Sequence, residues 1–247
     1  MRGNNKEMLR RIILLVVLPL QAVFANPFSR LGPQHAMMVF QAGGFYASQG
    51  NAEDIGIVGL IGDHYTVAHP YAKNGLLGLG YFIDGMETNR VKWMYGLNAF
   101  YLAHTLVQGD IIQEELFDNL SYSYTLTNYP IYLAAKTLLN TGNDNYLITF
   151  DFGVGPNIIK TSSFKENSLD GVTLPDNAFS GQTSVAFSVT AGVGVKLNNV
   201  FGQLPLELGY RFFYLGQGNL NKVNSEVINT LNTGKNYANA LVFSVST

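Results

Sequence analysis

Reading every second residue across 183–199 splits the run into two sets. One is Val185, Phe187, Val189, Ala191, Val193, Val195 and Leu197; the other is Ser184, Ala186, Ser188, Thr190, Gly192, Gly194 and Lys196. Successive side chains of a strand point to opposite faces. The pattern therefore predicts a strand with one apolar face and one small, polar face. Seven more segments alternate in this way: 37–48, 74–84, 91–105, 120–139, 146–158, 204–215 and 239–247. Pro130, inside the longest of them, is expected to mark a bulge or a shift of register.

The connections between these segments alternate in length. Residues 85–90, 140–145 and 199–203 are short, and 49–73, 106–119, 160–182 and 216–238 are long. In an antiparallel meander, every tight turn then falls at one end and every long loop at the other. This asymmetry is the pattern of a bacterial outer-membrane barrel. The predicted fold is all-β: an eight-stranded antiparallel transmembrane meander β-barrel with short periplasmic turns and four long outer loops, spanning 37–247. Residues 55–67 could supply a further strand or hairpin; they are assigned to the first long loop, because a ninth membrane strand would break the even count.

The polar face distinguishes lipid from a soluble core. A soluble sheet turns a Lys-, Glu- and Asp-rich face to water, whereas here only 13% of residues are charged and the second face is mostly Gly, Ser, Ala, Thr and Asn. Small residues suit the interior of a narrow barrel. The few charges on that face, Lys92, Lys136, Asp151, Lys196, Glu207 and Arg211, are predicted to pair in the lumen, because buried charges need partners. His104 is placed inward near the outer end of its strand. Trp93, Tyr95, Tyr146, Tyr210 and Tyr214, on the apolar face near segment ends, are predicted to form aromatic girdles at the headgroup level.

The first 25 residues read as a cleaved signal peptide. Arg2, Lys6, Arg10 and Arg11 precede an apolar stretch, and Val23-Phe24-Ala25 offers small residues for cleavage. Residues 26–36 would be a short periplasmic segment. The mature chain would carry 11 basic and 16 acidic residues, net −5, which gives no support to nucleic-acid binding. Past residue 25 no apolar run is long enough for a helical span. With no cysteine, disulfides and thiol chemistry are excluded.

On these features, and on Glu207–Gly218 (ELGYRFFYLGQG) with its LGYR run before aromatics, the chain resembles the small outer-membrane barrels typified by the OmpA transmembrane domain, OmpX and opacity-type surface proteins. The resemblance covers essentially the whole mature chain and implies an outer-membrane location. Such barrels usually end in an aromatic residue preceded by alternating apolar ones; Leu241, Phe243 and Val245 keep that spacing, and Thr247 stands in the last position. No periplasmic domain follows the last strand, so a peptidoglycan-anchoring role is not implied.

Little in the sequence suggests catalysis. The histidines are His35, His64, His69 and His104, and the Ser–His pattern of lipid A deacylases near the end of the chain is absent. His64, His69 and Asp63 share a loop without convincing metal-ligand spacing. Gly153-Val154-Gly155 and Gly192-Val193-Gly194 lack a phosphate-loop ending and read as strand glycines on the inward face. Asp54, Asp63, Glu114, Glu115, Asp118, Glu166 and Asp170 read as solvated loop charge. No catalytic residue, cofactor or metal ligand is assigned. The expected role is structural or surface-interacting, with the outer loops contacting lipopolysaccharide or an extracellular or host ligand, on a monomer in outer-membrane lipid. The alternatives are a small channel or transporter for small or apolar solutes and, behind it, a lipid A-modifying enzyme.

Overall fold

The computed structural model describes residues 36–143, 145–201 and 204–247. The expected signal peptide, 1–25, and all but the last residue of the expected periplasmic segment, 26–36, lie outside the described residues. Twelve strands are present among them: β1 (Ala36–Ser48), β2 (Glu53–Ile55), β3 (Asp63–Tyr65), β4 (Tyr71–Glu87), β5 (Val91–Gln113), β6 (Phe117–Asn140), β7 (Tyr146–Ser168), β8 (Phe179–Ser180), β9 (Thr183–Phe201), β10 (Leu204–Gly216), β11 (Asn221–Lys222) and β12 (Asn236–Ser246).

Eight of these close into an antiparallel ring, β1-β4-β5-β6-β7-β9-β10-β12, sealed where Val39 meets Ser246 and Ser48 meets Tyr237. They are the eight segments the alternation predicts. Following the register around the ring leads from Ala36 through Ile83, Tyr95, Ala135, Phe152, Ala191, Phe212 and Asn239 to Tyr46. The path returns to β1 ten residues further on (46 − 36). Ten residues of ~3.3 Å against eight strands spaced ~4.8 Å tilt the strands by about 41°. A 13-residue strand then rises about 32 Å, enough to cross a membrane whose apolar band is about 25 Å tall.

Three strands are far longer than a membrane requires. β5, β6 and β7 have 23, 24 and 23 residues, which at this tilt reach almost 60 Å. The second outer excursion is thus built as a continued hairpin that turns tightly at Glu114 and Glu115, both in the left-handed region (φ 53° and 60°). Residues 106–119, expected as a long loop, are therefore mostly strand. A β-bulge between Leu102 and Thr105 shifts the phase of the alternation there. It gives the buried position to Thr105 and leaves His104 exposed, not inward as expected. At Pro130 the ladder passes without a shift, with Ala99↔Ile131 and Leu102↔Asn128 in one register and Pro130↔Asn157 in line with Leu133↔Val154. The bulge on the β6–β7 ladder lies between Ser123 and Thr125. The hairpin considered for 55–67 does form, two residues earlier: β2 and β3 pair from Glu53↔Tyr65 to Ile55↔Asp63, and β3 docks on the projecting end of β5, outside the ring of eight.

Candidate functional site

The interior of the ring is filled in layers. At the end carrying the tight turns, Val39, Phe82, Met94 and Leu138 pack together. Above the charged layer, Phe100, Leu102, Tyr132, Phe213 and Leu215 form a second apolar cluster. The glycine-rich inward face makes this filling possible. A Cβ at Gly78 would lie 2.6 Å from the Phe100 ring, and one at Gly153 would lie 2.9 Å from Tyr132 Cβ.

Between the two clusters sits the charge network. Lys136 Nζ lies 2.8 and 2.7 Å from the two Glu207 carboxylate oxygens and 3.2 Å from Asp151 Oδ1. Arg211 Nη2 is 3.1 Å from Asp151 Oδ2. Thr149 Oγ1 donates to Glu207 at 2.9 Å. Two cations and two anions make the core of the network neutral, and all four are buried. The Arg211 guanidinium also lies 5.0 Å from the Phe100 ring centroid, joining the charged layer to the aromatic one. A void of about 10 Å³ beside Asp151, Glu207 and Arg211 has room for a single water.

Of the six residues expected to pair in the lumen, the structure brings Lys136, Asp151, Glu207 and Arg211 together. Lys92 pairs with Asp84 at 2.7 Å, nearer the tight-turn end. Lys196 approaches the Met37 sulfur at 3.9 Å. The five ring positions lie on the outward face. Tyr95, Tyr146 and Tyr210 are exposed and Trp93 and Tyr214 half-buried, with Trp93 stacked on Tyr95. The sequence pattern does not single out Tyr46, Tyr71, Tyr101, Tyr129 or Tyr237, which form the outward-face ring pairs Tyr46–Tyr71, Tyr101–Tyr129 and, with the expected Tyr214, Tyr214–Tyr237 toward the long-connection end.

It also missed the most distinctive feature, a folded cap. The projecting ends of β5, β6 and β7, the β2–β3 hairpin, and the β7–β9 and β10–β12 connections share one hydrophobic core. Ile55, Tyr65, Val107, Ile111, Leu120, Tyr122, Tyr124, Phe179, Leu220, Val227 and Leu231 are buried in it. Tyr65 meets Tyr122 and Phe179 edge-on, with centroids 5.0 and 5.8 Å apart. Burial pushes the Tyr65, Tyr122 and Tyr124 hydroxyls well up from their ordinary value, so they stay protonated as donors. The connections are also stitched by polar contacts. Glu53 accepts from Asn232 N–H at 2.8 Å, and the fully buried Thr233 accepts from Gly50 N–H through its carbonyl and from Gly218 N–H through its hydroxyl.

Glu166 corrects the reading of loop acids as solvated. It is only 6% exposed and accepts from Tyr65 Oη at 3.3 Å, Asn177 N–H at 2.7 Å and Ala178 N–H at 3.2 Å. Asp63, half-buried near Glu114, Glu166 and Asp176, is pushed up to about 6, chiefly by desolvation. The exposed Asp170 behaves oppositely. Hydrogen bonds from Thr173 N–H and Oγ1, and then from Val172 and Ser168, hold it well below the usual carboxylate range. His64 lies 2.5 Å from Asp54 at an exposed edge, with no other side-chain hydrogen bond among the described residues.

No family model matches the chain, and no curated protein matches it. Among solved structures it is similar to Neisserial surface protein A (12% identity, 85% of this chain and 96% of that one, TM-score 0.39). It is likewise similar to the attachment invasion locus protein Ail of Yersinia pestis (14%, 86% and 99%, 0.33) and to the outer membrane protease OmpT of Escherichia coli (10%, 89% and 99%, 0.48). What places this chain in a membrane is its own surface. Phe40, Leu77, Phe152, Phe187, Leu241 and Phe243 stand exposed on the outward face of a closed ring, and a sheet can sit in lipid only if it has no free edge. The chain is an eight-stranded antiparallel transmembrane β-barrel, with a lumen filled by side chains and a folded cap over its long-connection end.

Proposed function

We propose that this barrel is a non-enzymatic surface-recognition protein that works through its cap. The observation that carries this reading is what the cap exposes. Val58, Leu60, Ile61, Leu116, Phe117, Leu169, Val172, Leu174, Val223 and Ile228 are all more than half exposed, and all lie in the turns and connections at the end away from the termini. A cap with its own core does not need these side chains for folding, and exposed apolar groups in such numbers mark contact surfaces. Backbone bonds hold the segments in one arrangement: Glu114 N–H to Gly62 O, Leu169 N–H to Asn119 O, and Val58 N–H to Glu226 O. A rigid scaffold carrying contact residues on its connections is the usual design for recognition. Two apolar clusters and a paired charge layer within the ring count against solute passage.

The test compares cells displaying the wild-type protein with cells displaying Val172→Asp/Leu174→Asp. The expected result is lower adherence of the variant cells to matrix-coated surfaces, with equal amounts of folded protein in the membrane. Equal adherence, or planar-bilayer conductance that rises with each inserted barrel, would overturn the reading.

A further inference from the structure

Charge in this chain is divided between its two parts. The cap segments 49–70, 106–126, 159–182 and 217–236 carry 11 acidic and four basic residues, net −7, and the other described residues carry four acidic and six basic, net +2. Among the described residues no carboxylate of the cap lies within ion-pair distance of a lysine or arginine. The cap therefore holds an unneutralised negative field, which draws cations and repels polyanions before contact.

Within this acidic cap one apolar patch is held in place by its backbone. Residues 56–62, Gly-Ile-Val-Gly-Leu-Ile-Gly, contain no polar side chain. Leu60 N–H closes a turn on Ile57 O at 3.2 Å, and Gly59 and Gly62 take φ of 80° and 112°. A Cβ on Gly62 would lie 2.5 Å from the Ile55 carbonyl oxygen, so the turn needs glycine there. Both oxygens of Glu114 receive the turn's backbone, from Ile61 N–H at 3.0 Å and Gly62 N–H at 3.5 Å. On the other flank Val58 N–H donates to Glu226 O and Ile228 N–H to Gly56 O.

These bonds leave Val58, Leu60 and Ile61 standing outward, with Leu116 next to the Glu114 anchor and Ile228 next to Gly56; all five are 59–75% exposed. The core beneath is already filled by residues such as Ile55 and Val227, so the five do not serve folding. Glu115 and Glu226 border the patch. Both are exposed, and among the described residues neither carboxylate has a hydrogen-bond or ion-pair partner. An apolar face bordered by free carboxylates is the complement of apolar side chains interleaved with Lys or Arg.

We infer that this patch docks a cationic amphipathic segment of an extracellular polypeptide. Its apolar side covers Val58, Leu60, Ile61, Leu116 and Ile228, and its Lys or Arg side chains meet Glu115 and Glu226. A sulfated polymer or an anionic bilayer is repelled by the same carboxylates, and an uncharged surface makes no use of them. The work is divided: apolar contact sets how long the partner stays, and the carboxylates set how fast it arrives. The inference rests on the recognition role of the cap and adds the chemistry of what is recognised.

The test is biolayer interferometry on the full folded barrel in nanodiscs of zwitterionic lipid, with empty nanodiscs as the blank. The probe is a synthetic amphipathic Leu/Lys peptide of about five helical turns. Parallel arms use its Leu/Glu counterpart and a Ser/Lys peptide of equal charge. The expected result is saturable Leu/Lys binding above the blank that weakens as salt rises, with both other peptides held at least about tenfold less tightly. Leu60→Ser/Ile61→Ser should speed dissociation about tenfold. Glu115→Gln/Glu226→Gln should slow association several-fold and flatten the salt dependence. All four side chains are exposed, and unchanged heat-modifiable mobility on gels checks that the variants fold. No Leu/Lys binding above the blank, equal retention of either control peptide, or wild-type kinetics in both variants would overturn the inference. Val172 and Leu174 lie on another connection, so adherence lost in their variant, with no peptide bound here, would sink this inference and leave the recognition role standing.

Discussion

Replacing Lys136 with Met asks whether the lumen is a sealed interior or a wet one. Lys136 contacts both carboxylates of the network, and its side chain is 4% exposed. With it gone, Asp151 keeps Arg211, but Glu207 keeps only the Thr149 hydroxyl. The site then holds an unmatched negative charge. In a sealed interior, breaking such a pair costs about 3–5 kcal/mol. Glu207→Gln alone leaves Lys136 on Asp151 and should cost less, about 2 kcal/mol. Lys136→Met/Glu207→Gln together leave the neutral Asp151–Arg211 pair. Their combined cost should fall short of the sum of the single costs by about 2 kcal/mol. The measurement is reversible urea unfolding in lipid vesicles, followed through Trp93, the one tryptophan in the chain. A cost below about 1 kcal/mol for Lys136→Met, with additive singles, would mean that water screens these charges. The lumen would then be wet rather than sealed, and conduction would regain its standing.

Two further outcomes follow from the cap. Glu166→Ala removes the acceptor of the Tyr65 hydroxyl and of the Asn177 and Ala178 N–H groups, at about 1–3 kcal/mol for each group left unsatisfied. Limited proteolysis should then cut within 169–182 while the heat-modifiable ring persists; unchanged resistance would show that the carboxylate does not hold the cap. Asp63 binds its proton more tightly in the folded cap, at about 6, than in an unfolded chain. Its penalty is therefore absent below about pH 4, grows as pH rises through 6, and is complete above it. Because the group is half-buried, solvent screening reduces the effect to about 1 kcal/mol. A fluorophore on Val172→Cys, with no native cysteine to compete, should report a cap more stable to urea at pH 5 than at pH 8. Asp63→Asn should remove that difference, and a difference that survives the substitution would point to another group.

Alternation alone determined the ring. A strand's period of two is local, so Val185 to Leu197 on one side and Ser184 to Lys196 on the other are readable without any contact being known. The rule that a barrel has no free edge then turns eight such strands into a closed meander. The inward charges were legible for the same reason, although their partners were not. Which of Lys92, Lys136 and Lys196 meets which carboxylate depends on a ten-residue stagger around the ring, and no single strand encodes that number. The cap was half visible. Leu120, Tyr122, Tyr124 and Leu126 continue the alternation of β6, and Val107 and Ile111 that of β5, but the bulge at 102–105 shifts the phase and hides the continuity. What tertiary structure alone decided is that Ile55, Phe179, Leu220 and Val227, from three separate connections with Ile55 more than a hundred residues from the rest, bury one another above the barrel. The same is true of Glu166, a carboxylate that reads as solvated in sequence and becomes a buried acceptor because Tyr65 and the turn at Asn177 close over it. Hydrophobic burial is non-directional, so the sequence can supply such residues, but only the packed chain assigns them to each other.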